Sequence, residues 1–211
     1  MSLLGFRTTY ELALLFTCLL GDFLPSTVKS THGNLPRALI DSSTHWGVAF
    51  FSWAIIVQAK NYKEFAECLL CGVLAMGIDA DHFIAARSLS LQAALSLSSR
   101  PFLHSTTLTL SISLIIFITG HILNKGWIKL LSVMCFIAWT SHHIRDGSRR
   151  GLWFSPIGST PPIPYNLYVI LTLLLPLLVI FILKLFNSDF MRSDLHRQLY
   201  VEAKSKNVLP I

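Results

Sequence analysis

The sequence predicts an all-α fold, a polytopic membrane bundle of about six transmembrane helices. Of its 211 residues, 53% are hydrophobic and only 13% are charged, whereas about a quarter of a typical soluble domain is charged. The mean hydropathy is +0.58. Apolar runs of near-spanning length also recur along the chain and are separated by short polar segments. These observations exclude intrinsic disorder, which requires low hydrophobicity, and argue against an ordinary soluble protein.

Six apolar runs define the predicted transmembrane helices. They cover residues 10–24, 44–59, 65–78, 104–123, 126–140 and 165–186. The third run continues without a helix breaker as far as residue 87, and the sixth is interrupted only by Pro176, which a membrane helix can tolerate. Several runs are about 15 residues long, shorter than the ~20 that cross a bilayer untilted. Five crossings are therefore the alternative to six.

The segments outside these runs complete the predicted organisation. Residues 88–99 alternate Leu with Ser, Gln and Ala, which predicts a short interfacial helix. Residues 147–164 are rich in Gly, Pro, Ser and Trp and are expected to form a loop that folds over a site. We predict one membrane-embedded domain over 1–186 and a polar C-terminal tail over 187–211, which is expected to be flexible.

The basic residues and the cysteines narrow the classes of partner. The net charge is +6, but the basic residues are spread out and have few aromatic neighbours, which argues against nucleic-acid binding. Six crossings place ten of the 17 Lys and Arg residues on the face that holds both termini, so the positive-inside rule predicts cytosolic termini. The pair Cys68 and Cys71 lies in an apolar run without a second Cys or His pair, which favours packing over a zinc or redox role.

Five of the eleven acids and six of the eight histidines lie toward one predicted membrane face. Six crossings bring the following residues to a similar depth: Asp22, Asp41, His45, Asp79, Asp81, His82, Arg100, His104, His142 and Asp146. Polar residues at helix ends often act as caps or meet lipid headgroups, and this explains any single pair. Capping does not require histidine in several segments, so the whole set favours a site. His143 points away from the His142 face and is predicted to be interfacial.

The residue types in this set are those that bind a divalent metal, and zinc is the expected ion. The predicted ligands are His45, Asp79, Asp81, His82, His104, His142 and Asp146. Seven candidates exceed the four that one zinc usually takes, so either two metals bind or some of these residues position the others. For catalysis, we predict that Asp79 or Asp146 accepts a proton, and that Arg100 or Arg145 holds an anionic group.

Four segments carry a resemblance to a known family. They are residues 78–83 (IDADHF), 86–90 (ARSLS), 100–104 (RPFLH) and 139–153 (WTSHHIRDGSRRGLW). With them, the chain closely resembles the eukaryotic transmembrane protein 267 family over about residues 35–169. The resemblance implies a multi-pass membrane topology.

A more distant resemblance implies an activity. The bacterial LexA-regulated, membrane-bound metal-dependent hydrolases carry Thr-His, Asp-x-Asp-His, Arg-x-x-x-His-Ser and His-x-x-x-Asp in this order. This chain offers Thr44-His45, Asp79-Ala-Asp81-His82, Arg100 with His104-Ser105, and His142 with Asp146. Ser99 stands where the bacterial pattern has a histidine. The resemblance implies a metal-dependent hydrolase related to zinc phospholipase C, with a lipid phosphoester as its substrate.

Two other functions stay open. The first is a non-enzymatic membrane scaffold or degenerate hydrolase relative, in which the polar cluster is structural; this predicts internal pairs such as Arg87 or Arg145 with Asp41 or Asp146. The second is transport, since acids and histidines within a membrane also line ion pathways. The gathering of these groups at one face, rather than across the bilayer, argues against transport.

Overall fold

The computed structural model describes residues 3–28 and 34–185, so the predicted tail over 187–211 lies outside the described part. The helices are α1 Leu3–Thr27, α2 Leu35–Val57, α3 Tyr62–Met76, α4 Ala80–Ala86, α5 Leu91–Leu95, α6 Thr106–Ile122, α7 Gly126–Arg150 and α8 Tyr165–Leu185. Short 3-10 turns cover Gly77–Asp79 and Phe102–His104. The strands β1 Trp153–Phe154 and β2 Gly158–Ser159 form one small hairpin. The predicted all-α class is confirmed.

Two helices, α2 and α7, form the centre of the bundle. α2 packs against α1, α3, α7 and α8, and α7 packs against α2, α3, α6 and α8. The outer helices instead turn large apolar side chains outward, as shown by the exposed Phe16, Leu69, Ile115 and Leu178. The central helices bury polar side chains such as His142. An apolar exterior around a core that mixes apolar and polar side chains suits a lipid environment.

Within the described residues, two helical segments are long and apolar enough to cross a membrane by themselves. They are Tyr62–Ala86, which joins α3 to α4 through the 3-10 turn, and Tyr165–Leu185; α6 is apolar but shorter. The ends of α2 and α7 carry ionisable side chains, which make these helices less apolar. The count of six crossings therefore stays a prediction.

The largest departure from the predicted boundaries is at α7. Its apolar run ends near residue 140, but the helix continues to Arg150, where Gly151 terminates it with a positive φ of 72°. The polar residues that end the apolar run are buried against the other helices, so helical hydrogen bonding continues through them. The predicted loop over 147–164 accordingly starts later and contains the hairpin, in which Trp153 pairs with Ser159. The predicted interfacial helix over 88–99 is limited to Leu91–Leu95.

One end of the bundle collects six helix termini. α1, the α3–α4 segment and α7 end there, while α2, α6 and α8 begin there, as the contacts of Asp22, Asp79, His104, His142 and Tyr168 demonstrate. This antiparallel order brings residues that are distant in sequence to one place.

Candidate metal centre

Two imidazoles and two carboxylates approach one another at this end of the bundle. His104 Nε2 lies 3.6 Å from Asp79 Oδ1 and 3.6 Å from Asp146 Oδ2. His142 Nε2 lies 3.7 Å and 3.6 Å from the same two oxygens. We call these four side chains the tetrad. They come from three separate parts of the chain: the 3-10 turn after α3, the 3-10 turn before α6, and the end of α7.

The imidazole–carboxylate spacing in the tetrad matches the size of a metal ion, and three of its members, His104, His142 and Asp146, form a group whose ligand atoms all lie within 4.8 Å of one another. A tetrahedral zinc ion with bonds of ~2.1 Å separates its ligand atoms by ~3.4 Å. The four imidazole–carboxylate separations are 3.6 to 3.7 Å. Small movements of these side chains toward a common centre would complete the coordination, and the donor set of two imidazoles and two carboxylates is one that zinc accepts.

His142 is held in the orientation that a ligand needs. Its Nδ1 donates a hydrogen bond to the Ala75 carbonyl at 3.0 Å, because a carbonyl can only accept. The proton therefore resides on Nδ1, and the lone pair of Nε2 faces the tetrad. The side chain is 0% exposed, and this Nε2 has no hydrogen-bond partner among the described residues. A buried acceptor without a partner is costly unless something binds it.

His104 is oriented in the same way by a carboxylate. Its Nδ1 lies 3.2 Å from Asp81 Oδ1 and donates to Asp81 Oδ2 at 3.3 Å, and Oδ2 also accepts the Leu103 backbone N–H at 2.7 Å. Asp81 is fully buried, and Nε2 of His104 also has no hydrogen-bond partner in the described ranges. A carboxylate behind a histidine fixes its tautomer and strengthens it as a metal ligand.

The electrostatics of His104 show how strongly this point attracts a cation. Its Nε2 lies 3.6 Å from carboxylate oxygens of both Asp79 and Asp146, and its Nδ1 lies 3.2 Å from Asp81. A proton on Nε2 would therefore be stabilised by the same oxygens that would bind a metal ion. A cation and that proton compete for one position.

A second cluster, built on arginine, lies beside the tetrad. Arg145 is 2% exposed; its Nη1 donates to Asp41 Oδ1 at 2.5 Å, and its Nη2 donates to Asp22 Oδ1 at 3.2 Å. Arg149 also donates to Asp41, at 2.6 Å. The Tyr168 hydroxyl donates to Asp22 at 2.9 Å. This salt-bridge cluster joins α1, α2, α7 and α8.

His45 connects the two clusters. Its ring stacks on His142 with centroids 3.8 Å apart. Its Nε2 lies 3.1 Å from Arg145 Nη1. Because a guanidinium only donates, the lone pair on this Nε2 points at the arginine. The same atom lies 3.4 Å from Asp146 Oδ1.

The charges of the two clusters do not balance. Five carboxylates, from Asp22, Asp41, Asp79, Asp81 and Asp146, face two guanidinium groups, from Arg145 and Arg149. With neutral imidazoles, three negative charges are in excess at a largely buried site. A divalent cation would offset two of them, whereas carboxylates without a cation repel one another.

The structure assigns different surroundings to the other predicted site residues. Asp81 contacts His104 from behind and belongs to none of the His/Asp groups with metal-binding spacing in the described residues. His82 lies at the edge of the site. Its Nδ1 donates to the Ala94 carbonyl at 3.1 Å, although His82, Asp79 and His104 form one of the groups with metal-binding spacing. Arg100 donates to the carbonyls of Arg150 and Gly151 and so caps α7, and it lines a small cavity together with His104 and Asp146.

Some residues of the site gave little signal in the sequence. His143, predicted to be interfacial, is buried; its Nε2 donates to the Leu103 carbonyl at 3.0 Å and so fixes the turn that carries His104. Tyr168, whose hydroxyl donates to Asp22, has as its only signal in the sequence a hydroxyl in the most apolar helix. The predicted packing role of Cys68 and Cys71 agrees with the structure, where both thiols are free and buried.

Two cavities flank the site. A small one of about 20 Å³ is lined by His104, Asp146, Arg150 and Trp153, among others, and has room for about one water molecule. A larger groove of about 600 Å³ lies on the side of the salt-bridge cluster; its lining includes Arg37, Arg145, Arg149, Asp41 and Tyr165.

Comparisons with known proteins identify relatives along most of the chain. Transmembrane protein 267 of Mus musculus is 45% identical over 170 residues, covering 80% of this chain and 79% of the relative. The Bos taurus protein of that name is 46% identical over 162 residues, covering 76% and 75%. The Danio rerio protein is 41% identical over 181 residues, covering 85% and 81%. These names and the apolar helices together support a membrane protein.

Two other comparisons gave no match. No protein-family model matches the chain, and no solved structure matches it. The distant resemblance to bacterial metal-dependent hydrolases therefore receives no support from them.

Proposed function

The chain belongs to the transmembrane protein 267 family, and within that family we propose that it is a multi-pass metalloprotein. In this proposal the tetrad binds one divalent ion, zinc, at the headgroup end of a six-crossing bundle. The reaction is the hydrolysis of a phosphoester in a membrane lipid.

One observation carries the metal proposal. The Nε2 atoms of His104 and His142 are both buried and without a hydrogen-bond partner in the described residues, and both face Asp79 and Asp146. Backbone groups and Asp81 hold the rings in this orientation. Desolvating two acceptors and two carboxylates together is costly, and binding of a cation offsets that cost.

The side chains suit hydrolytic chemistry. A divalent ion in such a site lowers the pKa of a coordinated water toward ~7, which makes hydroxide available at neutral pH. Asp79 and Asp146 each keep one oxygen outside the tetrad: Asp79 Oδ2 lies 3.5 Å from the Ser42 hydroxyl, and Asp146 Oδ1 lies 3.4 Å from His45. These oxygens can accept a proton from water. The small cavity beside Asp146 and His104 provides a place for that water.

The surroundings favour an anionic lipid headgroup as the substrate. The tetrad lies at the end of the bundle, and helix ends of a membrane protein lie near the headgroups. Arg150 lines the small cavity, and Arg37 and Arg149 line the larger groove. Arginine is well suited to phosphate because its planar donors match two phosphate oxygens.

Metal analysis of the purified protein tests the proposed zinc site. We expect stoichiometric zinc in the full chain in detergent, and none in the His142→Ala variant. His121→Ala is the matched control, because His121 is an exposed histidine near the end of α6, away from the tetrad. Absence of bound metal in the folded parent protein, after incubation with zinc and desalting, would contradict the proposal.

Hydrolysis is tested separately in vesicles. We expect phosphate-headgroup release from mixed phospholipid vesicles that stops on chelation, returns with zinc, and is absent for Asp146→Asn. Metal binding without release from any of the common phospholipid classes would leave a metal site but refute the hydrolase.

The salt-bridge cluster favours a second candidate, a non-enzymatic scaffold. The pair of Arg145 with Asp41 is one that this alternative predicted, and the pair of Arg149 with Asp146 at 3.5 Å extends it. In that case Asp79, His104 and His142 are structural too. The His142→Ala variant would then lose stability whether or not zinc is present, whereas a metal site predicts that zinc raises the unfolding temperature of the parent protein alone.

A further inference from the structure

A second set of ligand-type atoms adjoins the tetrad. Asp41, His45 and Asp146 each offer an atom within 4.8 Å of the others. Asp146 belongs to both sets through different oxygens: Oδ2 faces His104 and His142, while Oδ1 faces His45 at 3.4 Å. A carboxylate shared between two neighbouring sets of ligands is the arrangement expected of a two-metal site.

Guanidinium groups already fill this second set. Arg145 Nη1 lies 2.5 Å from Asp41 Oδ1 and 3.1 Å from His45 Nε2. Arg149 Nη2 lies 2.6 Å from Asp41 Oδ1 and 3.5 Å from Asp146 Oδ1. Arg145 is buried and anchored from behind by Asp22, whereas the Arg149 side chain is 50% exposed. The buried arginine is therefore the fixed cation of this set.

From this geometry we infer that the Arg145 guanidinium occupies the position that a second metal ion would take, so that the centre binds a single metal ion. The inference rests on the proposed metal site in the tetrad. Arginine stays charged at all accessible pH values, so it is a permanent cation at that position. A second divalent ion would have to displace it, which would strip Asp22 and Asp41 of a buried partner.

The arrangement also gives Arg145 a positioning role. It holds His45, whose ring packs against His142 at 3.8 Å. It also neutralises Asp41, so that this carboxylate does not compete for the ion bound by the tetrad. The seven candidate ligands predicted from the sequence thus divide into a metal-binding tetrad and residues that orient or surround it.

Metal stoichiometry tests the inference. The full chain in detergent is saturated with zinc, desalted, and analysed for zinc atoms per chain. We expect one in the parent protein, one in Asp41→Asn, and none in His104→Ala. Two ions in the parent, falling to one in Asp41→Asn, would overturn the inference and keep the proposed metal site. No ion in the parent would refute the metal site itself.

An increase in the number of zinc ions bound by an Arg145 variant is a stronger test than the stoichiometry of the parent protein. Removing the guanidinium in Arg145→Ala opens the second set, so we expect two zinc ions per chain. Arg149→Ala is the matched control and should keep one, since Arg149 is half exposed and leaves Arg145 in place. A folded, monodisperse Arg145→Ala protein with one ion would overturn the inference. If Arg145→Ala does not fold, the comparison of the parent with Asp41→Asn decides.

Discussion

His142 and Asp146 lie one turn apart on α7, with Nε2 of the histidine 3.6 Å from Oδ2 of the aspartate. Residues four apart on a helix share a face, so one rigid element presents half of the tetrad. The other half comes from two 3-10 turns, at Gly77–Asp79 and Phe102–His104. The precision of the site therefore depends on how those turns are held, and Asp81 holds one of them.

Replacing Asp81 with Asn should weaken zinc binding by about 10- to 100-fold, the usual effect of losing a carboxylate behind a metal-binding histidine. Asp81 orients His104 and accepts the Leu103 N–H, but it does not face the tetrad. Competition titration with a chromophoric chelator measures the affinity. Glu11→Gln is the control, since Glu11 pairs with Arg7 near the start of α1. Loss of all zinc in Asp81→Asn would instead identify Asp81 as a ligand.

Replacing Tyr168 with Phe should lower the free energy of unfolding by about 1.5–3 kcal/mol, because a buried hydrogen bond to a charged group is lost. The Tyr168 hydroxyl donates to Asp22, which also accepts from Arg145. Thermal unfolding in detergent measures the change. Tyr62→Phe serves as the control. Tyr62 is 79% exposed, so this substitution should leave the free energy of unfolding unchanged. Equal stability of the two variants would show that Asp22 does not depend on Tyr168.

Replacing Gly151 with Ala should destabilise the protein by about 1–3 kcal/mol, the range for a strained backbone position. Gly151 has φ of +72°, and an added Cβ would lie 1.9 Å from the Thr160 carbonyl oxygen. The change also disturbs the carbonyl that Arg100 caps. Gly77→Ala is the contrasting variant, since nothing lies within 4 Å of its added Cβ. If Gly151→Ala unfolds at the same temperature as the parent, the close approach of the hairpin to α7 is incorrect.

Cysteine labelling should resolve the number of crossings at α6. Ser98 precedes this helix, Asn124 follows it, and both are exposed. If α6 crosses the bilayer, Ser98→Cys and Asn124→Cys react with an impermeant maleimide from opposite sides, with Asn124→Cys on the cytosolic side. The four native cysteines are buried, so background labelling should be low.

Labelling of both cysteines from one side would show that α6 does not cross, and five or fewer crossings would follow. Permeabilised membranes provide the control, because both positions should then react. The outcome also locates the tetrad, which lies at the Ser98 end of α6.

Hydropathy predicted much of the fold, and the limits of prediction from hydropathy appear at α7. An apolar run marks where a helix meets lipid or core, so each of the six long helices overlaps one predicted run, although α1, α2 and α7 extend well beyond theirs. The polar stretch from His142 to Arg150 gave no apolar signal, yet it is helical, because its side chains find buried partners such as Asp41 and Leu103. Hydropathy cannot detect a polar interior.

By itself, the sequence indicated that a set of Asp and His residues from distant parts of the chain lies at one end of a helix bundle. Alternating helix directions require this once the apolar runs are placed. Only the tertiary structure decided the roles: that His104 and His142 present free Nε2 atoms, that Asp81 lies behind His104, and that Arg145 fills a second set of ligands. These depend on partners such as the Ala75 carbonyl and the Leu103 N–H. Every residue carries these backbone groups, so only packing reveals which of them orient a side chain.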